Sequence, residues 1–161
     1  MSPPDLSAQL VTLLPRLRRF ARALTRNPHD ADDLVQVALE RALARAHQLR
    51  PDAALAAWVF GILQHAWIDE LRTRTRRERL FAPEESGSHV GDSGQGTQVE
   101  LLSVQDAMGR LPQEQRLAVA LVLIEGFSYK EAAHLMDVPI GTLTSRLARA
   151  REALQTMLGE S

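Results

Sequence analysis

The chain of 161 residues contains no cysteine. It therefore has no disulfide framework, no thiolate metal site and no cysteine nucleophile, which suits a reducing compartment. It also lacks any run of about 18 consecutive apolar residues of the kind that spans a membrane, and its N-terminus has no basic segment followed by an apolar core. We expect a cytoplasmic protein without membrane insertion.

Aromatic residues are scarce, at 4% of the chain, and β-branched runs are few. The 45% of hydrophobic residues are dominated by Leu and Ala, a composition typical of helices packed on helices. A phosphate-binding loop, Gly-x-Ser-x-Gly and His-Glu-x-x-His are all absent, and the five histidines lack metal-ligand spacing. We therefore expect an all-α protein that is not an enzyme and has no metal site or cofactor.

Charge is strongly segregated, although the formal net charge is only -1. Residues 71–79 contain five arginines and one acid, whereas residues 81–106 contain five acids and no lysine or arginine. Local fields rather than total charge attract phosphates, so the arginine run is a candidate phosphate-binding track. The alternative is a solvated helix end whose positive charge suits the helix dipole.

Residues 81–98 are rich in Gly and Ser and have no apolar periodicity, which indicates a flexible linker. This linker divides the chain into two small helical domains, residues 1–80 and residues 99–161. Both domains show apolar residues at helical rather than alternating spacing.

Three helices are predicted in the first domain. Asn27 can cap a helix that has Pro28 at its first position, and apolar residues recur at spacings of three and four up to residue 46. Ahead of it, the apolar stripe of residues 10–24 predicts another helix, in which Pro15 lies either in the first turn or at a kink in a longer helix.

The third helix of this domain is predicted over residues 52–79. Its two tryptophans, Trp58 and Trp67, are nine residues apart and therefore lie on roughly opposite faces. Trp67 could pack against a neighbouring helix or stack on a nucleic-acid base.

The second domain begins with predicted helices at 104–111 and 113–125, separated near Pro112, and Gly126 supplies the stop. Ser128 and Glu131 have the spacing of a capping box at the start of a short helix. Residues 137–139 break that helix, and a longer one follows over residues 140–158. Helix, tight turn and longer helix together predict a helix-turn-helix.

The outer face of the last predicted helix suits DNA recognition. Arg149 could contact guanine with two hydrogen bonds, and Ser145, one turn earlier, could reach a neighbouring base or phosphate. Arg146 and Arg151 are better placed for backbone phosphates. Any short helical hairpin with a basic outer face shares this pattern, which is the alternative.

The helix that starts at Asn27 carries a cluster of polar residues opposite its apolar stripe. Asp30, Asp32 and Asp33 are followed by Gln36 and Glu40. A basic partner could dock on this face, or the acids could simply be solvated and favoured by the helix dipole.

Four segments, in order along the chain, resemble the extracytoplasmic-function (ECF) subfamily of the sigma-70 family of bacterial RNA polymerase sigma factors. They are residues 27–36 (NPHDADDLVQ), residues 58–77 with Ile68-Asp69-Glu70-Leu71-Arg72, the Arg110-Leu111-Pro112 entry to the second domain, and residues 138–151 (VPIGTLTSRLARAR). The resemblance covers residues 10–158.

The resemblance implies that the first domain (sigma region 2) binds core RNA polymerase and the -10 promoter element, and that the second (sigma region 4) binds the -35 element. It further implies control by an anti-sigma factor. The implied core-binding residues are Asp33, Gln36 and Glu40; those for the -10 element are Gln64, His65, Trp67, Arg72, Arg74, Arg76 and Arg77; those for the -35 element are Thr142, Thr144, Ser145, Arg146, Ala148 and Arg149.

Several positions depart from the family pattern. His65 stands where Asn is frequent, Gly61 and Thr144 where basic residues are common, and Val37 where an acid is usual. Gly61 inside a helix costs about 1 kcal/mol relative to Ala unless close packing requires it. Two other functions stay open: a sigma-like mimic that sequesters an anti-sigma factor, and an ordinary helix-turn-helix regulator.

Overall fold

The computed structural model describes residues 3–50, 54–81 and 103–159, and all regular structure in these ranges is helical. The first domain consists of α1 (Pro3–Thr25), α2 (Pro28–Ala44), a short 3-10 helix (Ala46–Gln48) and α3 (Leu55–Phe81). The second consists of α4 (Val104–Arg110), α5 (Gln113–Val119), a π-helical turn (Ala120–Ile124), α6 (Tyr129–Met136) and α7 (Ile140–Met157). The predicted all-α fold of two helical domains is confirmed.

The first domain differs from the prediction mainly in α1. This helix runs through Pro15 without interruption, so the longer helix is correct and the placement of Pro15 in the first turn is wrong. Proline lacks an N–H, and α1 therefore has no helical hydrogen bond from residue 15. α2 begins as predicted, because the Asn27 side chain accepts hydrogen bonds from the backbone N–H groups of His29 and Asp30 at 2.9 and 3.0 Å.

The second domain follows the predicted order of helices, with one addition. The helix predicted over 113–125 ends in the π-helical turn, where the N–H of Glu125 donates to the carbonyl of Ala120 at 2.9 Å. Gly126 then adopts a φ of 82°, which favours glycine and stops the helix as predicted. The capping box of Ser128 and Glu131 is present in full at the start of α6.

A tight turn joins α6 to α7. Asp137 adopts a left-handed conformation with a φ of 59°, one of the few non-glycine side chains that tolerate it. α7 then buries Leu143, Leu147 and Ala150 against the rest of the domain. The predicted helix-turn-helix is therefore present.

The two domains pack against each other and share one core. Phe20 of α1, Phe60 of α3 and Phe127 of the second domain form a row of edge-to-face rings, with centroids 4.9 and 5.3 Å apart. Such ring pairs add to the free energy gained by burying the side chains.

Most of the predicted linker lies outside the described residues, so the boundaries 1–80, 81–98 and 99–161 stay predictions.

Candidate nucleic-acid interface

The predicted polar face of α2 is exposed. Asp33, Gln36 and Glu40 are all exposed and lie three and four residues apart, so they form one row along the helix. The opposite side of α2 is buried in the core of the first domain. The geometry leaves this row free to contact another protein.

The predicted -10 residues in the central part of α3 differ in their exposure. His65 is exposed, whereas Gln64 and Trp67 are only 1% and 5% exposed. The Gln64 amide donates a hydrogen bond to the carbonyl of Leu135 in α6. The indole N–H of Trp67 donates to Oε1 of Gln113 in α5 at 3.0 Å. Each of the two covered side chains therefore has a hydrogen-bond partner in the second domain.

The arginine run also divides into two groups. Arg72, Arg76 and Arg77 are exposed on the last turns of α3. Arg74 instead forms ion pairs with Glu70 at 3.0 Å and Asp30 at 3.1 Å. Three of the four predicted arginines are therefore open to phosphates, and Arg74 already has carboxylate partners.

Arg74 lies in a groove of about 300 Å³ between α2 and α3, which is also lined by Asp33, Trp67 and Asp69. Its guanidinium carbon is 5.3 Å from the centroid of a Trp67 ring, the geometry of a cation–π contact. The hydrogen bond to Glu70 is the main cause that raises the pKa of Arg74, burial opposes it, and the interactions with Asp30 and the charge of Glu70 raise the pKa further. Arg74 thus holds the two helices together.

The outer face of α7 is open along its first three turns. Thr144, Ser145, Ala148 and Arg149 are exposed, and Thr142 and Arg146 are half-buried. The Thr144 hydroxyl donates to the carbonyl of Ile140 at 2.9 Å, so its oxygen still has room to accept a hydrogen bond. The six predicted -35 residues therefore lie on one helix, with four of them facing outward.

The sequence pattern did not indicate the cluster that joins the two domains. The Glu125 side chain has no exposed surface and accepts hydrogen bonds from Arg16 at 3.1 Å and from Arg19 at 2.9 and 3.0 Å. The hydrogen bond from Arg19 to Glu125, with their charge attraction, raises the pKa of Arg19. These partners are more than 100 residues apart in sequence, beyond the reach of any periodicity.

A second contact missed by the sequence is made by Arg116, which is 8% exposed. Its guanidinium donates to the carbonyls of Met108, Gly109 and Leu111 at 2.9 Å and to the carbonyl of Leu24 in α1 at 2.8 Å. Burial, with a smaller effect of the Arg26 charge, lowers the pKa of Arg116. Its place in the apolar stripe of α5 was the signal that could have indicated burial.

A wide groove of about 990 Å³ remains between α1 and the start of the second domain. One wall carries four arginines of the first domain, and the other includes the apolar side chains of Val104 and Ile124. Arg19 and Arg26 already pair with Glu125 and Asp106. The other two arginines in this wall, Arg18 and Arg22, are exposed.

Within the described ranges, no group of three or more His, Cys, Asp or Glu side chains is placed to hold a metal ion. In the same part of the chain, no helix has the length and apolarity needed to cross a membrane.

Two family models match the chain in the expected order. The model described as the Sigma2 domain of PhyR matches residues 10–64, and the model of sigma-70 region 4 matches residues 101–154. The ECF RNA polymerase sigma factor EcfG of Rhodopseudomonas palustris is 38% identical over 154 residues, which cover 96% of this chain and 85% of EcfG. The chain belongs to the ECF sigma factors.

Other members and solved structures agree with this assignment. The ECF sigma factor SigM of Mycobacterium tuberculosis is 40% identical over 145 residues, covering 89% of this chain and 72% of SigM. The sigma factor RpoE of Bartonella quintana, solved in complex with the anti-sigma factor NepR, has a TM-score of 0.81 and 34% identity, covering 96% of this chain and 97% of RpoE. CnrH, solved with the cytosolic domain of CnrY, shares the fold at a TM-score of 0.71 and 21% identity, covering 98% and 90% of the two chains.

Proposed function

We propose that this ECF sigma factor binds core RNA polymerase and directs it to a set of promoters. The observation that carries the proposal is the outward row of Thr144, Ser145, Ala148 and Arg149 on the second helix of a helix-turn-helix. A row of this kind fits the major groove, where side chains can read base edges. We assign it to the -35 element, together with the half-buried Thr142 and Arg146.

The first domain has the complementary roles. The exposed row of Asp33, Gln36 and Glu40 is proposed to dock on core polymerase. His65, Gln64 and Trp67 are proposed to meet the -10 element, with the last two becoming accessible only when the domains separate. Arg72, Arg76 and Arg77 are exposed and would hold phosphates, while Arg74 supports the fold. The sigma factor itself performs no bond chemistry and acts in the cytoplasm, where the polymerase works.

Run-off transcription tests this function. Core polymerase with the protein should initiate at specific sites on genomic promoter fragments, and core polymerase alone should not. Replacing the exposed Glu40 by Arg should lower the affinity for core. The same change at Glu114, an exposed acid outside the assigned sites, should leave that affinity unchanged.

A sigma-like mimic is the second candidate, because the model that matches the first domain is that of the Sigma2 domain of PhyR. A mimic would bind an anti-sigma factor without reading promoters. Its exposed arginines and recognition helix would then have no DNA to contact. Binding to core polymerase without specific initiation would favour the mimic and contradict the promoter function.

We also assign control to an anti-sigma protein. The support is the similarity to RpoE, solved with its anti-sigma factor NepR, and the arginine-lined groove, where Arg18 and Arg22 are exposed. Adding a cognate anti-sigma protein should abolish run-off transcription. Changing Arg18 and Arg22 to Glu should restore transcription in its presence, whereas changing Arg50, which is exposed outside the groove, should not.

A further inference from the structure

The outer face of α7 carries two rows of exposed side chains that differ in chemistry. Ser145 and Arg149 are four residues apart and form a polar row. Ile140, Thr144 and Ala148 have the same spacing and form a second row, in which each side chain offers a methyl group. Each residue of the polar row directly follows one of this methyl row in sequence, so the two rows run side by side along the helix.

Ile140 is the member of the methyl row that lies outside the six assigned -35 residues. It is the first residue of α7, directly after the N-cap residue Pro139. It keeps 52% of its surface exposed although its side chain is large and apolar. The N-terminal residues of a recognition helix are those that contact base edges. Ile140 is therefore placed where an apolar side chain can be covered by a base in the major groove.

The Thr144 hydroxyl is turned back on its own helix. It donates its single proton to the carbonyl of Ile140 at 2.9 Å, so it has no second proton to donate to a base while this bond is held. The Cγ2 methyl of Thr144 takes no part in the bond and stays available for an apolar contact. Ala148 likewise offers only a methyl group. The methyl row therefore presents apolar surface and no free hydrogen-bond donor.

Thymine is the base that shows an apolar group in the major groove, its C5-methyl, and alanine and the threonine methyl are side chains that contact it. We infer that the methyl row reads thymine in the -35 element, next to the guanine assigned to Arg149. In the promoter complex, Ile140, Thr144 and Ala148 contact the C5-methyl groups of one or two thymines. The inference deepens the proposed function, because it rests on α7 entering the major groove at the -35 element.

Replacing thymine by deoxyuridine tests this contact, because it removes the C5-methyl and keeps every hydrogen-bonding group of the base. Holoenzyme is bound to a promoter at which run-off transcription shows initiation, and each thymine of the -35 element is replaced in turn on both strands. At one or two positions the affinity should fall about fourfold, the factor for one methyl group removed from an apolar contact. At the other positions it should not change.

Two variants connect this loss of affinity with the methyl row. Thr144→Ser removes the Cγ2 methyl and keeps the hydroxyl, and Ile140→Ala shortens an exposed side chain. Each should make the affinities for the thymine and deoxyuridine duplexes equal at one position. Thr156→Ser, the same change at an exposed position in the last turn of α7, and Val11→Ala, at an exposed position of α1, are the matched controls and should keep the fourfold difference. Circular dichroism establishes that every variant has the helicity of the parent.

Three results would overturn the thymine reading. They are a parent holoenzyme whose affinity is the same with and without every thymine methyl, a -35 element without thymine on either strand, and a fourfold difference that persists in both Thr144→Ser and Ile140→Ala. Initiation without any response to deoxyuridine contradicts the thymine reading alone. Failure of the parent to initiate contradicts the promoter function. In that case the same replacements are made in duplexes that the free chain selects from a random library, and failure to select any also contradicts the thymine reading.

Discussion

A buried arginine joins the ends of two helices in this sigma factor. Arg116 spreads its donors over the carbonyls that end α4 and over the carbonyl of Leu24 near the end of α1. Carbonyls at helix ends lack helical partners, and a charged donor satisfies several of them at once. An arginine in an otherwise apolar stripe therefore acts as a structural residue.

We expect Arg116→Met to lower the free energy of unfolding by about 3 kcal/mol or more, because four carbonyls, most of them buried, lose a charged donor while the volume is kept. Urea denaturation followed by circular dichroism measures this change. Arg110→Met, at an exposed position, should stay within about 0.5 kcal/mol of the parent. A similar loss in both variants would contradict the capping role.

Arg149 is exposed on α7, and its guanidinium can form two hydrogen bonds with a guanine. We expect Arg149→Ala to reduce the discrimination between the cognate -35 element and a mutated one by about 1 to 3 kcal/mol. Competition binding with holoenzyme measures it. Arg151→Ala, an exposed neighbour on α7, should weaken binding on all sequences alike, and an equal loss on all sequences for Arg149→Ala would refute base reading.

At the scale of the element, α3 combines three tasks along its 27 residues. Its first half enters the shared core, its middle is covered by the second domain and its end projects exposed arginines. The sequence indicated a basic end but could not distinguish Arg74 from Arg76, because only the folded chain brings Asp30 next to Arg74.

We expect Arg74→Gln and Arg76→Gln to have different effects. Arg76→Gln should reduce the salt dependence of promoter binding by holoenzyme by about one unit of slope, since it removes a phosphate contact. Arg74→Gln should leave the slope unchanged and cost about 0.5 to 1 kcal/mol of stability, because its partners are carboxylates at a half-exposed site. Promoter binding at several salt concentrations and urea denaturation measure the pair. A lower slope in both variants would contradict the assignment.

Helix positions were predictable because caps and periodicity are local signals. Asn27, Ser128 and Gly126 act at the helix ends for which they were selected from the sequence. The π-helical turn and the continuous course of α1 through Pro15 were not predictable, because tertiary packing decides both. The hydrogen bond between Trp67 and Gln113 was not predictable either, because the two residues are 46 positions apart in the chain.

At the scale of the whole molecule, the shared core makes the two domains one thermodynamic unit. We expect a single calorimetric unfolding transition with equal calorimetric and van't Hoff enthalpies, because each domain loses buried surface when the other unfolds. Differential scanning calorimetry measures both quantities. Gly61→Lys should split this transition into two, because a Cβ at residue 61 would already lie 3.3 Å from Cδ2 of Leu135 in α6 and a lysine would push the two domains apart. Two transitions in the parent would show that the interface contributes little stability.

The sequence predicted two domains but not how they meet. Composition and periodicity show which face of each helix is apolar. They do not show which helix of the other domain packs against that face. The buried pairs of Glu125 with Arg16 and Arg19 have no local signature. For the same reason, periodicity could predict that the polar face of α2 and the outer face of α7 are exposed, but it could not predict that Gln64 and Trp67 are buried.

The outward position of α7 has a consequence for how such a protein searches a genome. Because α7 is exposed while Gln64 and Trp67 of α3 are buried, the free protein would bind transiently to DNA that contains only a -35-like sequence. Without core polymerase it would not separate the DNA strands there, so this binding would be brief and would produce no transcript. Occupancy mapped in cells depleted of core polymerase should then follow the -35 motif alone, and restoring polymerase should concentrate it at sites that carry both motifs.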